Sequence, residues 1–117
     1  MGPRYLSLAL AMLSTQTMAT TVQFNNRCGH AIDLIKTVPS VAGTQECDLQ
    51  PGESCTKNYD GPGFNFKHTN AGKSVTQAEF TFNDAAQKDF YNLSVVDGFN
   101  VAIQITSDKG GPTLTCE

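Results

Sequence analysis

Two acidic residues in the middle of the chain have the type and spacing that carbohydrate chemistry uses. Glu79 stands in the run Ala78-Glu79-Phe80-Thr81-Phe82, and Asp97 in Val95-Val96-Asp97-Gly98-Phe99. Two carboxylates on one solvated surface can hold sugar hydroxyls by accepting hydrogen bonds. With one protonated and the other ionised, such a pair can also cleave a glycosidic bond. That requires a separation of about 5–5.5 Å for a retaining reaction or about 6.5–9.5 Å for an inverting one. Asn92 lies between them in the chain and can join the same polar surface. Each residue also has a purely structural reading. Asp before Gly serves a turn, and a Glu that alternates with Phe is an ordinary solvated strand residue.

The elements that must position these residues are strands. Ala78, Phe80 and Phe82 alternate with Glu79, Thr81 and Asn83, which makes one face apolar and the other polar. Asn83 to Ala86 breaks the pattern. Phe90 to Val96 is rich in aromatic and β-branched residues, with Tyr91, Leu93 and Val95 on one face. Asp97-Gly98 between two apolar runs predicts a hairpin. Phe99, Val101, Ile103 and Ile105 then follow at period two. If the strands are neighbours, Glu79, Asn92 and Asp97 share a surface.

The rest of the chain reads the same way. Thr20–Phe24 and Ala31–Ile35 are expected strands, and Val38–Gly43 a loop punctuated by Pro39 and Gly43. Pro51-Gly52 predicts a turn with Pro at its second position and Gly at its third. Phe64 and Phe66 alternate on one face after the Asp60-Gly61-Pro62-Gly63 turn. Tyr59, Phe64 and Phe66 are expected in the core, although exposed rings of this kind can stack on sugars. Ser107 to Pro112 is a further tight turn, and Thr113–Cys116 suits an edge strand. Asp84–Asp89 is the only helical candidate, at most a turn or two. Short strands between Gly, Pro, Asn and Asp turns predict an all-β sandwich.

The chain has 117 residues, 4 Cys, no Trp and a net charge of −3, which suits one domain. A mild negative charge argues against nucleic acid or an anionic membrane as partner. Residues 1–19 read as a secretory leader: Arg4 supplies the positive end, Tyr5–Leu13 the apolar core, and Thr17-Met18-Ala19 the cleavage site. That core falls short of the roughly 20 apolar residues a spanning helix needs. The mature domain is then 20–117, secreted and extracellular, and a monomer is expected.

Four cysteines in such a domain indicate disulfides. They allow three pairings. Cys47 and Cys55 flank the Pro51-Gly52 turn, which favours Cys47–Cys55 and leaves Cys28–Cys116. His30 and His68 stand at no metal-ligand spacing from the cysteines, so no metal and no other cofactor is expected. Asn92-Leu93-Ser94 is a sequon and makes Asn92 a candidate for glycosylation.

Beyond these readings, AEFTF at Ala78–Phe82 and DFYNLSVVDGFNV at Asp89–Val101 resemble the central segment of thaumatin-like proteins. TVQFNNRC at Thr21–Cys28 is similar to the family's opening strand, and LQPGES at Leu49–Ser54 to its L-x-x-G-E/Q-S turn. GPGFNFKHT at Gly61–Thr69 is a weaker echo. The resemblance implies a thaumatin-like β-sandwich with the N-terminal Cys paired to the C-terminal one, which agrees with Cys28–Cys116. It implies that Glu79 and Asp97 match two acids of the family's cleft. A further acid is Asn92 here, and the cleft's Arg falls on Lys67 or His68. The disulfide-rich second domain of full-length members is missing, and with it one wall of the cleft.

Three functions follow as expectations. The first is a secreted, non-catalytic module that binds cell-wall β-1,3-glucan in defence or host interaction. The second is an endo-β-1,3-glucanase using Glu79 and Asp97. The third is an extracellular hydrolase inhibitor or effector that acts by protein contact.

Overall fold

The computed structural model describes residues 4–12, 19–69, 74–83, 88–108 and 113–116. The expected helical turn at 84–89 and the tight turn expected at 107–112 lie mostly outside the described residues.

Among the described residues ten strands form two five-stranded sheets. They are β1 Leu6–Met12, β2 Thr20–Asn26, β3 Ile32–Val38, β4 Val41–Leu49, β5 Ser54–Tyr59, β6 Gly61–His68, β7 Gln77–Phe82, β8 Phe90–Ser94, β9 Ile103–Ser107 and β10 Leu114–Cys116. One sheet has the order β10-β9-β1-β2-β5, the other β4-β3-β6-β7-β8. No helix occurs among the described residues, so the all-β sandwich holds.

Alternation decides which residues face inward. On β2, Thr20, Val22, Phe24 and Asn26 are buried, and the residues between them are not. On β7, Ala78, Phe80 and Phe82 are buried, while Gln77, Glu79 and Thr81 face out. Rings fill the space between the sheets. Phe24 from one sheet meets Phe66 from the other at 5.1 Å between centroids, and Tyr59 packs on both. Tyr59 and Phe66 are therefore core residues, and Phe64 packs against the same core. The Tyr59 hydroxyl donates to Glu46 at 2.6 Å. Burial first, and then Glu46, pushes its pKa far up.

Three features differ from the local sequence patterns. Asp97-Gly98 does not close a hairpin: β8 pairs with β7 in one sheet, while β9 pairs with β1 and β10 in the other. The segment between them is a crossover from sheet to sheet. The loop expected at Val38–Gly43 shrinks to Pro39-Ser40, because Ser40 adopts φ 63° and β4 starts at Val41. Finally, the turn expected at Asp60–Gly63 gives way to strand, since β6 starts at Gly61. In the uncut chain Leu6–Met12, inside the Tyr5–Leu13 apolar core of the expected leader, is the middle strand of its sheet.

The Cys47–Cys55 disulfide is present. The Pro51-Gly52 turn also forms as expected, with Gly52 at φ +85° and its closing bond from Glu53 N–H to Gln50 C=O at 3.0 Å. Yet β4 and β5 belong to different sheets, so the bond joins the two layers and does not cross a hairpin. Cys28 is buried, and its thiol is pushed up by desolvation. It has no disulfide partner among the described residues. The Cys28–Cys116 pairing depends on the Cys116 side chain, which lies outside them.

Candidate functional site

The outer face of the second sheet carries the candidate site. β6, β7 and β8 run antiparallel in a register that sets Asn65 opposite Glu79 and Glu79 opposite Asn92. All three side chains leave the sheet on the polar side. Asn92 Nδ2 donates to Glu79 Oε1 at 3.1 Å. Two residues earlier on the same face, Gln77 takes a hydrogen bond from Asn65 Nδ2 and donates its own Nε2–H to Asp97 Oδ2 at 2.6 Å. The face thus presents two carboxylates, each engaged by a neutral amide. Gln77 and Glu79 stand two residues apart on β7 and face the same way, so Glu79 with Asn92, and Asp97 through its bond to Gln77, lie on one surface.

An open groove of about 520 Å³ lies over this face, lined by Asn65, Glu79, Thr81, Phe90 and Asn92 among others. Phe90 is the residue that sequence reasoning missed. It is 55% exposed and lines the groove. The signal was available, since Phe90 alternates with Tyr91 and so falls on the face of Asn92. Thr37 and Asn65 face each other across β3 and β6, and Thr37 Oγ1 and Asn65 Oδ1 are buried atoms without a hydrogen-bond partner. Unmet polar atoms of this kind ordinarily take a water or a ligand hydroxyl.

Asp97 reaches this face because its turn is pinned from behind. Gly98 N–H bonds to Val95 C=O at 3.0 Å. Gly98 adopts φ +114°, and a Cβ there would come within 2.4 Å of Ser74 Cα. Asn100 continues the anchoring. Its N–H donates to Thr76 Oγ1 at 3.1 Å, its Oδ1 accepts from Thr76 N–H at 3.0 Å, and its Nδ2 donates to His68 C=O at 2.9 Å. The DGFN run is therefore a set of tertiary ties that aims one carboxylate.

The two basic candidates separate. Lys67 lies opposite Gln77 and shares the face of the groove. His68 lies opposite Leu34 and turns to the other side of its sheet. There its Nδ1 accepts the Asp33 N–H at 3.1 Å, and its ring sits 5.6 Å from that of His30. Burial, and then His30, lowers its pKa against the opposite pull of Asp33. Among the described residues no cluster of His, Cys, Asp or Glu has the arrangement of a metal site.

Known proteins match the chain over most of its length. Barley (Hordeum vulgare) pathogenesis-related protein 1A/1B is 27% identical over 128 residues, covering 90% of this chain and 74% of that protein. The wheat (Triticum aestivum) thaumatin-like protein PWIR2 is 26% identical with the same coverage. A rice (Oryza sativa subsp. japonica) thaumatin-like protein is 50% identical over 44 residues, 38% of this chain and 23% of its own. No solved structure matches the chain. Residues 8–117 match the Thaumatin family, and with that span nearly the whole of the described sandwich is covered: the chain belongs to the thaumatin family.

Proposed function

We propose that the protein is a secreted, non-catalytic thaumatin-like module that binds a cell-wall polysaccharide of the β-1,3-glucan class. One observation carries this reading. The Asn92–Glu79 pair and the exposed Phe90 ring line the same open groove. Sugars are bound by this combination, an aromatic face under the ring and paired polar groups at the hydroxyls. A defence role is supported by the printed names of the barley relatives, which are pathogenesis-related proteins. Export follows from reading residues 1–19 as a leader. No helix among the described residues is long and apolar enough to cross a membrane.

The geometry favours binding over hydrolysis. A carboxyl group becomes a general acid near neutral pH when burial disfavours its charge. Glu79 is only half-buried and Asp97 is exposed. Both accept hydrogen bonds from neutral amides, and an open groove excludes little water. The reading as an inhibitor or effector acting by protein contact has its own support, since Val95, Val96 and Phe99 at the crossover are exposed. Such a patch is a common mark of protein contact.

The test is sedimentation of the protein with insoluble β-1,3-glucan, beside a Glu79→Ala, Asp97→Ala double variant, with reducing sugar assayed in the supernatant. The protein should come from a host that does not glycosylate, because a glycan on Asn92 would fill the groove. The expected result is binding that the double variant loses, with no sugar release. Equal sedimentation of both proteins would remove the acids from the site. Absence of binding by either would turn the search to protein partners.

A further inference from the structure

The middle strand of the first sheet is made from the segment that reads as a leader. A leader needs apolar residues but no particular period. Leu6-Ser7-Leu8-Ala9-Leu10 has one: large residues alternate with small ones. The structure uses that period. Leu6, Leu8 and Leu10 are at most 4% exposed and join Val22, Phe24, Ile103 and Ile105 in the core.

Both edges of the strand are bonded. β1 runs antiparallel to β2 from Leu6↔Asn26 to Met12↔Thr20, and parallel to β9 from Leu6↔Ile103 to Leu10↔Ser107. Further bonds hold its ends: Arg27 N–H to Tyr5 C=O at 2.9 Å, Leu6 N–H to Ala102 C=O at 2.9 Å, and Asp108 N–H to Leu10 C=O at 3.1 Å. The far sides of β2 and β9 are already taken by β5 and β10. Without β1, two unpaired edges face each other across an apolar floor. Such edges recruit a strand. The match to the thaumatin family also starts at residue 8, inside β1.

We propose that the gap between β2 and β9 is a strand-acceptor site, and that its occupant is the chain's own Leu6–Met12. The site is filled in the uncut chain. A cut between β1 and β2 leaves this segment seated, because both of its edges stay paired; only its removal opens the site, antiparallel to β2 and parallel to β9. The proposal is independent of the glucan reading, which concerns the outer face of the other sheet.

The test replaces residues 13–18 of the full chain with a site-specific protease sequence, folds the protein, and cuts it. The expected result is that the N-terminal fragment co-elutes with the remainder on gel filtration and leaves only in denaturant. After that release, a labelled peptide of residues 4–12 rebinds, and the Leu8→Asp peptide binds at least about ten-fold more weakly, because it would bury an unpaired charge. A fragment that elutes separately while the remainder keeps its thermal transition as a monomer overturns the proposal. So does a remainder that dimerises on losing the fragment, since the occupant is then a second copy. The uncut full chain gives an independent reading. Leu8→Asp is expected to lose the cooperative thermal transition while Ala9→Ser keeps it, and an unchanged transition in Leu8→Asp also overturns the proposal.

Discussion

Asn26 shows how much one buried side chain can hold. Its Nδ2 donates to His30 C=O at 2.9 Å and Leu49 C=O at 2.8 Å, and its Oδ1 accepts Cys28 N–H at 2.8 Å. The side chain closes the loop after β2 onto the end of β4. Asn26→Ala leaves these backbone groups unpaired, so a loss of about 2–4 kcal/mol is expected in denaturant unfolding. Asn26→Asp keeps the acceptor but loses both donors, and should fall in the same range. His68 makes a prediction of a different kind. Its folded pKa is lowered by burial and by His30, so the unfolded chain binds a proton more readily than the folded one. Stability from this group is complete above the ordinary His value near 6.5 and falls as pH drops below it. Thermal unfolding should therefore show a decline in melting temperature on acidification from about pH 6.5. His68→Gln should flatten that decline, and an unchanged decline would remove His68 as its source. At this scale the sequence was informative where alternation fixes a face. Glu79 and Asn92 read correctly as polar-face neighbours, because period two needs no tertiary knowledge. The roles of Asn26 and Asn100 were hidden, because their partners are backbone groups far away in the chain.

The strands were legible as elements, but their partners were less so. Alternating runs at Thr20–Phe24, Ala78–Phe82 and Ile103–Ile105 were recognisable from residue type alone. Asp97-Gly98 is a turn, as its composition implies, but the chain leaving it enters the other sheet. Local chemistry specifies the reversal and says nothing of which sheet receives the next strand. In the leader-like segment the chemistry of a leader core and of a buried strand overlaps, so the same apolar residues suit both, and the alternation of Leu6, Leu8 and Leu10 is what lets them pack as a strand in the uncut chain. The crossover itself supports a sharp prediction. Gly98 combines a positive φ with a backbone neighbour, Ser74, where a side chain would stand. Gly98→Ala should destabilise the protein by about 2 kcal/mol or more from backbone strain and the forced shift of Ser74. Because Asp97 is aimed by this turn, the same variant should also weaken glucan sedimentation if the proposed site is right. By contrast Gly52, with a similar φ and open space around its Cβ position, should cost only the strain of the conformation, about 1–2 kcal/mol. Denaturant midpoints of the two variants, measured side by side, separate strain from steric clash.

The whole molecule depends on holding two twisted sheets face to face around a core of rings. The Cys47–Cys55 bond sits at the seam where the chain passes from one sheet to the other, with β4 and β5 on its two sides. Cys47 lies opposite Leu34, and Cys55 opposite Phe24. Both sulfurs therefore face the core, and the bond fixes the separation of the layers at one edge. The closed loop is short, with a sequence separation of 8 residues, so the restriction it places on the unfolded chain is modest. By loop-closure entropy the bond contributes about 2–3 kcal/mol. Replacing both cysteines by Ala should lower stability by that amount plus a smaller packing loss, with the denaturant slope raised because the unfolded chain becomes more open. Asn26 ties the loop after β2 to the end of β4 at the same edge, through Leu49 C=O. The bond and the Asn26 ties thus constrain one seam by two means. Their losses should not add: the triple variant should be less unstable than the sum of the separate effects, since loosening the seam by either route frees the same residues. A double-mutant cycle by denaturant unfolding measures that coupling. Strict additivity would show that the two constraints act on separate parts of the sandwich.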